Sequence, residues 1–141
     1  MDHVVYLDAK AAELENILSG RKTMIIRGAA GRKLPYGRVH AGDTLYLINN
    51  NAEGVVKAKA TVSSVHDSEK MDEKSSEELV RKNQGSLQLT DKQFQRWAGK
   101  RYLVLISVKD PVEIKPFQID KSSYSNMDDW LPVGEIGKVR K

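Results

Sequence analysis

The chain has 141 residues, a formal net charge of +4, 40% hydrophobic and 30% charged residues, and no cysteine. That length suits one domain with a modest core, the missing cysteines exclude disulfides and thiolate metal sites, and no apolar run approaches the roughly 20 residues a membrane-spanning helix needs. The N-terminal MDHVVYLDAK has neither the basic start nor the long apolar segment of a signal peptide, so a cytoplasmic protein without a membrane partner is expected.

Residues 3–7 (HVVYL) are β-branched and aromatic and predict a first strand. Asp8 is placed to cap the following helix by accepting from the free N–H groups of its first turn. Ala11, Leu14, Ile17 and Leu18 then recur at helical spacing until Gly20 stops the run. Residues 23–26 (TMII) predict a buried strand, residues 28–39 a loop, and residues 43–48 (DTLYLI) another strand. Residues 49–54 (NNNAEG) are turn chemistry, and residues 55–65 alternate apolar and polar, so a hairpin is expected here.

Residues 66–82 are charged and helix-prone, with Ser75 or Ser76 as the expected cap. Residues 89–99 predict a helix capped by Thr90 and stopped by Gly99, with Phe94 and Trp97 aligned. Residues 101–108 (RYLVLISV) read as a core strand, and residues 110–117, which contain two prolines, as an edge strand. From Gln118 the composition turns to Ser, Asn, Asp and Gly. Residues 118–141 are therefore expected to wrap, as a tail, the domain formed by residues 1–117, held by Tyr124, Trp130, Leu131 and Val133. Helices this few and short cannot cover both faces of a doubly wound sheet. The fold class expected is α+β, a small mixed-strand β-barrel with helices plugging its ends.

Charge is unevenly spread. Between Asn16 and Gly42 there is no acid, while Arg21, Lys22, Arg27, Arg32, Lys33 and Arg38 contribute +6, which leaves −2 for the remainder. A basic segment on a slightly acidic body is the footprint of a polyanion partner, with a solvated basic face as the plainer reading.

The segments ILSGRKTMIIRG, GRVHAGDTLYLI and RWAGKRYLVLISV resemble, in that order, the ASCH domain of the PUA-like superfamily. Its signature is Gly-x-Lys-x-x-Glu-x-Arg. Gly20, Lys22 and Arg27 match it, Gly42 and Asp43 match the following Gly-Asp strand, and the resemblance covers about residues 3–116. Ile25 stands where the family has Glu. The resemblance implies a PUA-like β-barrel with a cleft suited to RNA or nucleotides. Some ASCH proteins act as hydrolases, on acetylated cytidine or as ribonucleases, and in the amidohydrolase branch a Lys, a Thr and a Glu carry the chemistry. Lys22 matches the Lys. The Thr position falls on Ile25, and Thr23, two residues away and on the same face by alternation, is the substitute. Glu69, Glu73, Glu77 and Glu78 are candidates for the carboxylate.

The candidate catalytic residues are thus Lys22 and Thr23, and the candidate RNA- or nucleotide-binding residues are Lys22, Arg27, Arg32, Lys33, Arg38, Asn49 and Trp130. A lysine that is desolvated or set among cations loses its proton more easily and serves as base or nucleophile; otherwise Lys22 is a point charge for phosphate. Arg27 offers a planar fork to phosphate, or an internal ion pair, for instance with Asp43. Alternation puts Lys22 and Arg27 on opposite faces unless Lys22 precedes its strand. Residues 28–33 (GAAGRK) have the small residues of an anion loop but not Walker spacing. Asn49, Asn50 and Asn51 have the amide groups to read a base edge, and Trp130 is a candidate to stack on one. His3, His40 and His66 show no metal-binding spacing, so no metal site and no cofactor are expected, a divalent ion entering only for a ribonuclease. The expected function is an RNA- or nucleotide-binding module. The alternatives are a small hydrolase of an acylated nucleoside or single-stranded RNA, and a regulatory protein-interaction domain.

Overall fold

A computed structural model describes residues 1–124 and 129–141. The elements are β1 (Asp2–Leu7), α1 (Glu13–Leu18), β2 (Met24–Ala29), β3 (Thr44–Asn49), β4 (Val55–Asp67), α2 (Glu73–Lys82), α3 (Gln84–Leu87), α4 (Asp91–Trp97), β5 (Tyr102–Gln118) and β6 (Trp130–Gly134). A short 3-10 turn, Ile136–Lys138, follows. The six strands make one mixed sheet in the order β2-β5-β4-β3-β1-β6, in which β1 and β3 run parallel and every other pair is antiparallel. The sheet curls into a half-barrel, an α+β architecture consistent with a PUA-like barrel.

Local sequence explains most element ends. The β3–β4 hairpin forms across the Asn-rich turn as its composition requires. Thr90 and Gln93 make a reciprocal capping box on α4. Gly20, at φ +82°, takes the left-handed conformation that ends α1. Three expectations need correction. Asp8 caps not α1 but the turn before it, accepting from the Ala11 N–H at 3.2 Å, and α1 starts only at Glu13. The cap of α2 is Asp72, which accepts from the Ser75 N–H at 2.7 Å, because the helix begins two residues before Ser75. Residues 110–117 are not a separate strand. They continue β5, bend at Asp110 (φ +52°) and pair only with β4, so Pro111 and Pro116 do sit where one edge is free.

Both faces of the sheet are covered. Leu14 and Ile17 of α1 pack on Val5, Leu7, Ile25, Leu45 and Leu47 inside the curl. Val80, Leu87 and Trp97 from the helices pack on Ile26, Leu103 and Leu105 on the other face. Gly28 lets β2 lie flush against β5, since a Cβ there would sit 2.9 Å from the Tyr102 carbonyl oxygen. The stretch expected to wrap the surface contributes β6, which pairs antiparallel with β1, and Trp130 and Leu131 are each 1% exposed.

Trp130 anchors β6 through a buried relay. Its indole N–H donates to His3 Nδ1 at 3.1 Å, and His3 Nε2 lies 2.8 Å from Asp43 Oδ2. An indole nitrogen can only donate, so Nδ1 is the acceptor, and Nε2 carries the hydrogen given to Asp43. His3 is therefore neutral. Burial pushes its pKa below the ordinary 6.5, against the opposing pull of Asp43. Burial alone would raise the Asp43 carboxyl, but the hydrogen bonds from His3 and the His40 N–H outweigh it and hold the group low. An unfolded histidine takes up its proton near pH 6.5, while His3 resists to lower pH. The folded state thus binds fewer protons over that interval and loses stability as pH falls through it. Thermal melts by circular dichroism are expected to show Tm decreasing from about pH 6.5 to about pH 5, with a shallower decrease in His3→Gln. A wild-type Tm flat over that range would refute the assignment.

Candidate functional site

Lys22 precedes β2, in the connection that leaves Gly20. This removes the conflict with strand alternation and lets Lys22 and Arg27 approach the same region. Lys22 is 2% exposed. Its ammonium lies 3.3 Å from Glu13 Oε2 and donates to the Leu87 carbonyl. Glu13 also accepts from the Asp8 N–H at 2.9 Å, which fixes the carboxylate at the start of α1. Burial lowers the Lys22 pKa from its usual range; Glu13 opposes this, and the nearby Arg27 charge adds to it.

Arg27, on β2, is 6% exposed. Its guanidinium donates to the Ile26 carbonyl at 2.8 Å and to the Tyr6 carbonyl of β1 at 2.7 Å. Its Nε lies 3.2 Å from Asp129 Oδ2 without pointing at it in hydrogen-bond geometry. The Trp97 and Trp130 rings flank it at 5.8 and 5.7 Å.

Above these buried groups runs a groove of three adjoining hollows that share Arg96. The central one, about 110 Å³, has Asp8, Glu13, Arg27, Asn50 and Gln93 in its wall. On one side a hollow of about 320 Å³ carries Lys33 and Lys100 beside Gly28 and Ala30. On the other side a wider one, about 790 Å³, carries Lys10 and Lys92 with Asn51. Arg96 lies over the Trp97 ring at 4.3 Å. Among the described residues no carboxylate pairs with Lys10, Lys33, Lys92 or Lys100, and Arg96 is 3.9 Å from Asp129. The centre thus offers hydrogen-bonding groups, and the two ends offer exposed lysines.

The sequence candidates divide accordingly. Lys33 lines the groove, and Arg32 stands exposed beside it on the same loop. Lys22 is buried beside Glu13, and Arg27, though 6% exposed, lines two of the hollows; of the two readings of Arg27 the internal ion pair has Asp129 as partner, since Asp43 is engaged by His3. Trp130 has no free face for a base because it is in the core. Asn49 is 9% exposed and faces a different hollow, with Leu14, Lys57 and Ile114, and its neighbour Asn50 is the one in the groove. Thr23 and Arg38 are exposed and line none of the three hollows. Glu69 and Glu78 lie at a separate hollow with His66. Residues 28–33 are part strand and part groove wall. Sequence reasoning missed Glu13, Asp8, Gln93, Arg96 and Lys100. Only the basic residues around Trp97 carried a signal in the sequence. Glu13 lies nine positions before Lys22, and nothing local marks it.

Solved structures of an ASCH protein from Zymomonas mobilis share this fold. The native form has a TM-score of 0.67 at 18% identity, over 97% of this chain and 92% of that one. Two point-mutant forms give 0.66 at 15% identity and 0.63 at 16%, covering 92% and 83% of this chain and 87% and 73% of theirs. The fold is ASCH-like. No protein-family model matches the sequence, and neither does any curated protein. Within this ASCH-like fold no helix among the described residues is long and apolar enough to cross a membrane, and no cluster of three or more His, Cys, Asp or Glu side chains among them is arranged to hold a metal.

The Glu13–Lys22 pair makes a test of the site's electrostatics. Removing one partner of a buried ion pair strands the other, so Glu13→Gln is expected to cost about 3 kcal/mol in urea denaturation. Lys22 then relieves part of the cost by shedding its proton. The folded state binds fewer protons than the unfolded chain below the ordinary lysine pKa of 10.5, so the deficit shrinks as pH rises toward that value. The double variant Glu13→Leu/Lys22→Met is expected to recover most of the loss. A single-variant cost independent of pH would contradict the buried pair.

Proposed function

We propose that this chain is a PUA-like module that binds RNA or a nucleotide in the groove around Arg96. One observation carries the reading: exposed lysines with no carboxylate partner among the described residues sit at both ends of a groove whose centre presents amides and carboxylates. Phosphates suit the Lys33–Lys100 and Lys10–Lys92 ends, and a base edge suits Asp8, Asn50 and Gln93 between them. Lys22 supports the site from beneath, and Arg27 lines its wall while held by the Ile26 and Tyr6 carbonyls.

A second reading, a small hydrolase of an acylated nucleoside or of single-stranded RNA, draws on the lowered pKa of Lys22 and on Glu13, which supplies the carboxylate that Ile25 cannot. In the described groove Glu13 lines the hollow and Lys22 stands behind it, which favours binding over chemistry. Incubation with N4-acetylcytidine and with a labelled single-stranded RNA, with and without divalent metal, decides this reading; no turnover in any condition removes it.

For binding, fluorescence anisotropy with a labelled RNA is the test. Lys33→Ala and Lys100→Ala are each expected to weaken affinity and to reduce the slope of log K against log salt by about 0.7, one phosphate contact each on a single strand. Unchanged affinity of the double variant at low salt would reject the groove as the RNA site.

A further inference from the structure

The groove has a neighbour on the loop after β2. The Arg32 guanidinium lies over the rings of both Tyr36 and Tyr102, 5.6 Å from each centroid. The two rings meet edge to face at 5.7 Å and 85°. Tyr36 is held by its hydroxyl, which donates to the Ser68 carbonyl at 2.6 Å. Tyr102 opens β5 opposite Ala29 of β2, and Ala29 is in the wall of the hollow that holds Lys33 and Lys100. Arg32 is one residue from Lys33, is exposed, and pairs with no carboxylate among the described residues.

An exposed arginine ordinarily samples many rotamers and acts as a diffuse charge. Here the guanidinium sits equally close to two half-buried aromatic rings set edge to face, which confine the exposed planar cation at one place on the surface. A planar cation confined in this way is a stacking surface for a nucleobase, since every base has a π-face and stacking on arginine planes is a general mode of single-strand recognition. It adjoins the basic end of the groove, where a strand leaving the central hollow would carry its next nucleotides.

We propose that Arg32, backed by Tyr36 and Tyr102, is a base-stacking subsite for a further nucleotide of a single-stranded RNA lying in the groove, an assignment that rests on the groove being the RNA site. The subsite takes any base and adds affinity without reading sequence. It also implies that the ligand is an oligonucleotide rather than a mononucleotide.

The test compares wild type with Arg32→Lys, which keeps the charge and loses the plane, by fluorescence anisotropy. Two labelled ligands are used: a single-stranded RNA hexamer, and an abasic hexamer with the same phosphates. Circular dichroism confirms that the variant is folded. Arg32→Lys is expected to weaken hexamer binding about tenfold and to leave abasic binding within about twofold. Hexamer binding equal to wild type overturns the subsite, and an equal loss for both ligands overturns it in favour of a phosphate contact. In either case, weakened binding in Lys33→Ala and Lys100→Ala leaves the groove reading standing. A folded wild type that binds neither ligand removes the groove reading and this subsite together.

Discussion

The half-barrel depends on where Arg27 puts its charge. β2 is one edge of the sheet, and β1 with β6 form the other. Arg27 leaves β2, donates to the Tyr6 carbonyl of β1 and lies beside Asp129 at the head of β6, so one guanidinium spans the gap between the two ends of the sheet. A buried guanidinium persists only with partners around it. Two carbonyls, a carboxylate and two tryptophan rings supply them. Because these come from β1, β2, α4 and the start of β6, satisfying one side chain fixes four elements relative to one another, and the groove lies where they meet.

The same constraint sorts the cations by role. Lys22 and Arg27 are committed inward, each to its own carboxylate, and rigidify the floor. Lys33, Lys100, Arg96, Lys10 and Lys92 remain on the rim, where hydrated ammonium and guanidinium groups keep their charge at little cost. Buried pairs form the floor of the groove, and the rim cations stand exposed above it. The groove therefore has charges of both signs in its middle and lysines at its ends.

Much of the fold was legible. Periodicity located the core of β1, the β3–β4 hairpin, α4 with its Thr90 cap and the first half of β5, because each depends on neighbours within a few residues. The starts of α1 and α2 were misplaced: α1 begins after Ala12 with no side-chain cap, and at α2 only the folded backbone picks Asp72 over Ser75. β6 was missed because a strand of five residues beside a polar stretch has no pattern of its own; it exists because β1 offers it an edge and His3 offers Trp130 a hydrogen-bond acceptor.

The site divides along the same line. Lys22 and Arg27 entered by resemblance to the ASCH signature; sequence alone determined that basic charge is concentrated between Asn16 and Gly42 and that the chain builds a mixed α+β sheet. Those are properties of composition and short-range spacing. Only the tertiary structure decided that Glu13 answers Lys22, that Asp129 rather than Asp43 answers Arg27, and that Arg96 and Lys100 join Lys33 at a groove while Trp130 and Asn49 turn away from it. Charge partnership and exposure depend on which distant segments share a wall, and in a curled sheet that is set by strand order and not by distance along the chain.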